Sequence, residues 1–488
     1  MGTAVKKWSF TAQEYSEFQQ RLYCQLETLK ELIRRPTFGL TPLKIGAELE
    51  MYLTDIDGNV SFSNQLLLDK LNDSQFQPEL NKYNLELNLS AFLQQEQPFA
   101  QLHKEMIDKT EYLHKVSLEN DIYPIAIGIL PTLKQQHLHI EHMTNIARYH
   151  NLAKHLYQER GEAFEINIKG DEQLSISFND ICAEGANTSF QVHMMIPPTR
   201  FANVFNAAQL TSPLVAAIGA NSPIFLGKRL WHETRVALFK QSLDIRLRNK
   251  VNWQEPTRVN FGFGWVRNDP WELFAEAVAL YPTILPSMAT EESEVGLPDL
   301  HELSVHMGTL WPWHRPVYCN KGNGHIRIEF RAIPAGPTAI DMVANAAFAI
   351  GLANGLSDDI ERLISQIPFR FAEYNFYRAA QFGLDAKILW PHKNKYQPNE
   401  IAITEVISSL LPVADKGLAA LGISKSERDT YLQVIEQRLS TKQNGAHWQR
   451  SQLDKLESKY SNLIACQHLV KQYYSQSRLD TPVAKWEQ

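Results

Sequence analysis

KIGAELEMYL, residues 44–53, sets Glu48 and Glu50 among Ala47, Leu49 and Met51. Successive side chains of a strand leave on opposite faces, so this run has one apolar and one acidic face. Three further stretches carry the same signature. NLELNLS (84–90) alternates Asn84, Glu86 and Asn88 with leucines, and SFQVHMMI (189–196) alternates Gln191 and His193 with Phe190, Val192 and Met194. HIRIEFRAI (325–333) alternates Arg327, Glu329 and Arg331 with Ile326, Ile328 and Phe330.

An antiparallel sheet with one face in water produces the same alternation, and each strand taken singly fits that description. Taken together the residue types do not, because four glutamates, a histidine and arginines replace the usual Thr, Ser and Lys. Opposed residues on neighbouring strands sit about 5 Å apart at Cβ, where two carboxylates repel by roughly 3 kcal/mol at an effective dielectric near 20. If the four segments share one sheet, cations are needed between the acids. Oxygen ligands with one imidazole suit Mg²⁺ or Mn²⁺, and arginines on the same face suit phosphate or carboxylate. That combination is what phosphoryl transfer from ATP requires.

The rest of the chain narrows the class. A net charge of −6 and a pI near 6.3 exclude a broad basic footprint, so neither nucleic acid nor an anionic membrane is expected as a partner. The opening MGTAVKKWSFTAQEY lacks the apolar run of a signal peptide. No stretch reads as membrane-spanning, the best candidate, 211–227, being broken by Ser212, Pro213, Asn221, Ser222 and Pro223. Cys24, Cys182, Cys319 and Cys466 are widely spaced, as for buried, reduced thiols in a cytoplasmic protein. No oligomeric state follows.

Thr11 and Glu14 form a capping-box pattern before an opening helix, and Ser424 and Glu427 repeat it. Helices are expected near 99–118, 145–157 and 200–219, and a long amphipathic run covers 448–474. The mixture of alternating strands and helices indicates an α+β fold rather than a parallel doubly wound one. The chain reads as one catalytic domain, with an N-terminal helical segment (1–40), an α+β core (41–356) and a helical C-terminal region (357–488). No Walker loop or G-x-G-x-x-G loop is present, so ATP would be bound by another device.

At these same residues the chain resembles the glutamate–cysteine ligase type 2 family, carboxylate–amine ligases of the glutamine-synthetase-like superfamily. GAELE (46–50) resembles its opening strand, ELNKYNLELN (79–88) its second acidic strand and NTSFQVHM (187–194) its T-x-x-x-Q-V-N/H strand. AAIGANSPIFLGKRLWHETRVALF (216–239) carries the family's A-N-S-P, glycine and arginine. HMGTLWPWHRP (306–316) with RIEFRAIPAGP (327–337) resembles its L-E-x-R strand and lead-in. NFYRAAQFGLDA (375–386) resembles a helix of the bacterial branch, with Gln381 where arginine is usual, and GAHWQR (445–450) echoes another element.

The resemblance implies a curved antiparallel sheet forming a funnel, Mg²⁺ at its floor and helices outside. It implies that Glu48, Glu50, Glu86, His193 and Glu329 hold metal, and that Arg331 contacts the transferring phosphate. Arg327, Gln191 and Thr188 would line the nucleotide or glutamate region, and Arg235, Arg148 and Asn88 would bind substrate. The bland alternatives are a surface ion pair of Arg235 with Glu233 or Asp244, a helix-surface Arg148 and a structural His193. The activity implied is ATP-dependent amide formation through an acyl phosphate, with glutamate and cysteine as substrates. Its rivals are another amine, a non-catalytic binding protein on the same scaffold, and a metal-dependent hydrolase.

Overall fold

The computed structural model describes residues 7, 9–247, 252–289, 296–392 and 395–487. Residues 1–6 and 8 of the opening stretch on which the reading of no signal peptide rested lie outside them.

Eight strands form one antiparallel sheet: β1 (Lys44–Thr54), β2 (Phe76–Pro78), β3 (Asn84–Asn88), β4 (Phe92–Leu93), β5 (Tyr123–Ile125), β6 (Phe190–Ile196), β7 (His314–Cys319) and β8 (His325–Phe330). The order is β7-β8-β6-β1-β3-β2, with β4 and β5 continuing the two edges of β1. All four segments singled out by their alternation are therefore neighbours. The sheet curls into a half-barrel with helices around it, the α+β architecture expected.

Ile45, Leu49, Leu85, Leu87, Phe190, Val192, Ile326 and Ile328 turn from the polar face into one continuous apolar core. That core is completed by the almost wholly buried helices Pro198–Gly219 and Ala339–Leu356. Ala339–Gln366 is a 28-residue helical run long and apolar enough to cross a membrane, which corrects the choice of 211–227; its apolar window is 89% buried inside the protein. A central core helix is greasy on every side because it has neighbours on every side.

One of those neighbours is Ile403–Ala420. A methyl group on Gly351 would stand 2.7 Å from the Ala414 carbonyl oxygen, and one on Gly417 would collide with the Gly351 carbonyl oxygen. Gly417→Ala is expected to destabilise the fold by about 1–3 kcal/mol, the usual cost of overpacking. Urea unfolding checks this, and an unchanged midpoint would mean that the helices can separate without cost.

Several local expectations need correction. Thr11 and Glu14 do close a capping box on Ala12–Ile33. Ser424 Oγ accepts from Glu427 N at 3.3 Å, but the Glu427 carboxylate turns away to accept from Ala100 N at 2.9 Å, tying two helices together instead. The run 448–474 is two helices, Gly445–Glu457 and Asn462–Ser477, because the chain turns before Ser461, whose backbone is extended. The C-terminal region also contains a hairpin, Lys387–His392 with Lys395–Ala402. Cys182 and Cys466 are buried, and burial pushes the Cys466 thiol up to about 12; Cys24 is exposed and Cys319 half-buried, against the expectation for all four.

Candidate active site

The register of the four strands decides which polar groups meet. Glu50 on β1 stands opposite Glu86 on β3, and Glu48 opposite both Asn88 on β3 and Gln191 on β6. Glu329 on β8 faces His193 on β6 from one side and Arg315 on β7 from the other. The four polar rows thus form one continuous face, with acids toward β3 and arginines toward β8.

Hydrogen bonds fix this face in place. Glu50 accepts from Ser189 N at 2.7 Å and from Gln191 Nε2 at 2.8 Å. Gln191 Oε1 in turn accepts from Arg331 Nη1 at 2.5 Å, and the same nitrogen donates to Glu329. Arg315 grips Glu329 with two nitrogens, at 3.0 and 2.8 Å, the planar two-point contact for which a guanidinium is suited. Glu48 pairs with His193 Nε2 at 3.1 Å, Arg327 Nε lies 3.2 Å from His193 Nδ1, and Asn88 donates to Glu86 at 2.6 Å.

Charge divides the face in two. Burial would raise the Glu329 carboxyl, but Arg315 and then Arg331 outweigh it and hold it at about 2. Burial likewise opposes ionisation of Glu48, and His193 and Arg327 overcome it, keeping that carboxyl well below the usual range. At the other end compensation falls short. Burial, then Glu48 and Glu50, lifts Glu86 to about 7. Burial, then Glu86, Glu50 and Glu184, pushes Glu79 well above the ordinary value. Glu50 is raised by burial despite Arg331, and Glu184 is raised to about 8 by burial and then by Glu50.

Glu50, Glu79 and Glu86 bring one oxygen each within 4.8 Å of one another. Crowded, buried carboxylates of raised pKa are short of positive charge, and a set of hard oxygen ligands fits Mg²⁺. Glu329 is already matched by two arginines, and Glu48 by His193.

Three residues that adjoin this face were not singled out from the sequence. Glu79 lay inside the quoted ELNKYNLELN stretch but ahead of the strand. β2 pairs with β3 so that Gln77 opposes Glu86, and the turn after Pro78 brings Glu79 alongside. Glu184 precedes β6 in a 3₁₀ turn, with no alternation to mark it. Arg315 belongs to β7, whose Pro316 disguises an edge strand, the position where proline is tolerated.

Three expected residues sit differently from their assigned parts. The Thr188 hydroxyl is buried and donates to the Ile127 carbonyl, so it braces the loop before β6. Arg235 is not on the surface: only 2% exposed, it donates to Glu233 at 2.8 Å and to the Ala332 carbonyl at 3.2 Å. It supports the backbone beside Arg331. Arg148 is half-buried, donates to the Gly308 carbonyl at 3.0 Å and lies near Arg315 and Glu79, at the edge of the face rather than on an outer helix surface.

A half-barrel with acids crowded at one end and arginines at the other defines the class: fold and family are those of ATP-dependent carbon–nitrogen ligases. Over residues 44–468 the chain belongs to glutamate-cysteine ligase family 2. A curated protein of Frankia casuarinae named "Putative glutamate--cysteine ligase 2-1" is 32% identical over 105 residues, 21% of this chain. The chain aligns with only 26% of that relative's length. The crystal structure of a glutamate–cysteine ligase from Francisella tularensis in complex with AMP has a similar fold, at a TM-score of 0.54 and 13% identity over 90% of each chain.

Proposed function

We propose that this protein couples the side-chain carboxylate of glutamate to the amino group of cysteine at the expense of ATP. The observation that carries the proposal is the meeting of Glu50, Glu79 and Glu86 with Arg331, Arg327 and Arg315 on one sheet face. The Francisella tularensis enzyme of similar fold was solved in complex with AMP, which supports a nucleotide among the ligands of this protein.

In this reading a γ-carboxylate oxygen of glutamate attacks the γ-phosphorus of ATP, and the bond to the β-phosphate oxygen breaks, releasing ADP. The amine nitrogen then attacks the acyl phosphate carbon; phosphate leaves, the nitrogen loses its proton and an amide remains. Glu50, Glu79 and Glu86 would hold Mg²⁺, which supplies positive charge to the phosphate oxygens. The protein's own part is positioning and charge compensation. Arg331, aimed by Gln191 and Glu329, meets the charge that develops on the transferring group. Arg315 fixes Glu329, and Arg235 fixes Ala332, so both act through Arg331. Arg327, beside His193, faces the nucleotide, while Arg148 and the Asn88–Glu86 pair border the space left for the amino-acid substrate. Small molecules in a cytoplasmic setting complete the proposal.

Phosphate release by the purified protein with Mg-ATP and glutamate, with cysteine and then each other amine added, tests it. Cysteine-dependent release is expected. Release with a different amine would replace the second substrate, and no release with any amine would overturn the ligase reading.

The acidic end makes a further prediction. Mg²⁺ at 100-fold its dissociation constant is expected to stabilise the protein by about 2.7 kcal/mol. Glu79→Gln should remove most of that gain and raise the melting temperature without Mg²⁺, because it relieves repulsion from Glu86 and Glu50. Thermal melts with EDTA and with Mg²⁺ distinguish the two effects. A variant melting like the wild type in both buffers would detach Glu79 from the metal.

A further inference from the structure

Outside the strands of the large sheet, a second group of three ligating side chains comes together. His232, Asp385 and His447 each bring one ligating atom within 4.8 Å of the others. They arrive from three separate stretches: the loop after Ala220–Pro223, the 3₁₀ turn Gly383–Asp385 and the start of helix Gly445–Glu457. The histidine rings meet edge to face, with centroids 4.8 Å apart.

The hydrogen bonds around His447 leave an imbalance. Asn444 Nδ2 donates to the Ala217 carbonyl at 2.9 Å, which fixes the amide so that its oxygen faces His447. That oxygen lies 2.9 Å from His447 Nδ1 and can only accept, so Nδ1 carries the proton. The lone pair of Nε2 then points at Asp385 Oδ2, 3.2 Å away. Two acceptors at that distance need a proton, on the ring or on the carboxyl, or a metal ion between them.

His232 adds an independent sign. It is nine-tenths buried, and its Nδ1 has no hydrogen-bond partner. That nitrogen is therefore not committed to any protein donor or acceptor among the described residues. A side chain at Gly383 would come within 2.6 Å of that Nδ1, so the turn that carries Asp385 closes over His232 only as glycine. The charge opposing a cation here is Arg450, which is paired with Asp171.

We propose that His232, Asp385 and His447 form a second metal site for a borderline divalent ion such as Zn²⁺, distinct from the carboxylate site in the funnel. Two imidazoles and one carboxylate are a ligand set for such a metal, with a fourth position for water. Asn444 is the outer partner that orients the ligating histidine. The ion would cross-link the loop carrying Glu233, and through it Arg235, to the C-terminal helices.

Co²⁺ titration of the full chain, in excess Mg²⁺ and with Cys24 and Cys319 alkylated, tests the site. One equivalent is expected to bind and give the visible bands of low-coordinate cobalt, displaced by Zn²⁺. Asp385→Asn and His447→Gln should each weaken binding by at least the roughly 10- to 100-fold that loss of a supporting partner costs. Asp385 is exposed, so its variant should fold as the wild type does by circular dichroism. No cobalt uptake by the wild type, or equal uptake by both variants, overturns the site. NMR showing His447 doubly protonated at neutral pH would do so too, because a proton would then fill the gap.

Discussion

Glu50→Gln is expected to cost on the order of 10²–10³ in turnover at saturating Mg²⁺, ATP and glutamate, within the range for removing one preorganised electrostatic contact. The substitution keeps the shape and removes two things at once. One is a third of the formal charge on the trio Glu50, Glu79 and Glu86. The other is an acceptor: Gln191 Nε2 donates to Glu50, and Gln191 Oε1 accepts from Arg331. An amide nitrogen at position 50 facing Gln191 Nε2 would oppose donor to donor. Gln191 would then flip and withdraw the oxygen that aims Arg331. The fold should not suffer, since Glu50 and Glu86 stand directly opposite and their repulsion is relieved. Steady-state kinetics with a melting curve separates these effects. Undiminished turnover in a well-folded variant would take Glu50 out of the chemistry.

Arg331→Lys is expected to lose on the order of 10³ in turnover, the lower range for an arginine that meets transition-state charge in phosphoryl transfer. The charge survives this change and the geometry does not. Arg331 Nη1 donates to both Gln191 and Glu329, and the planar fork leaves other donors for a phosphate oxygen. A lysine has one nitrogen on a flexible stem, and Glu329 would compete with the substrate for it. The loss should fall on kcat more than on KM for glutamate, because the contact is needed most as charge shifts. Nearly normal activity would show that positive charge alone suffices and that the fork has no special part.

Much of this face was legible because strand geometry is periodic. A polar residue at every second position must share a side, so Glu48 with Glu50, Gln191 with His193, and Arg327 with Glu329 and Arg331 could be grouped strand by strand, and the assumption of one shared sheet joined these groups to each other and to Glu86. What alternation cannot show is a residue delivered by a turn or by an edge strand. Glu79 reaches the trio through the turn after β2, Glu184 through a 3₁₀ turn, and Arg315 on a strand interrupted by proline. Nor does spacing reveal what a side chain is already bonded to. Thr188 looked like a pocket residue, yet its hydroxyl is committed to Ile127; Arg235 was read as a substrate ligand or a surface partner of Glu233 or Asp244, and it does pair with Glu233, but buried and also bonded to Ala332. The overall α+β class followed from local pattern. The split of 448–474 into two helices did not, because it depends on a short polar turn within an otherwise helical run.

The bonded series from Arg315 through Glu329, Arg331 and Gln191 to Glu50 crosses the sheet from its edge strand to its centre. Its members hold one another, so the cleft is assembled before any ligand arrives and little reorganisation is left for the reaction to drive. The same interdependence couples the effects of substitutions. A change at one member loosens the rest, so a second injury to the series should add little to the first.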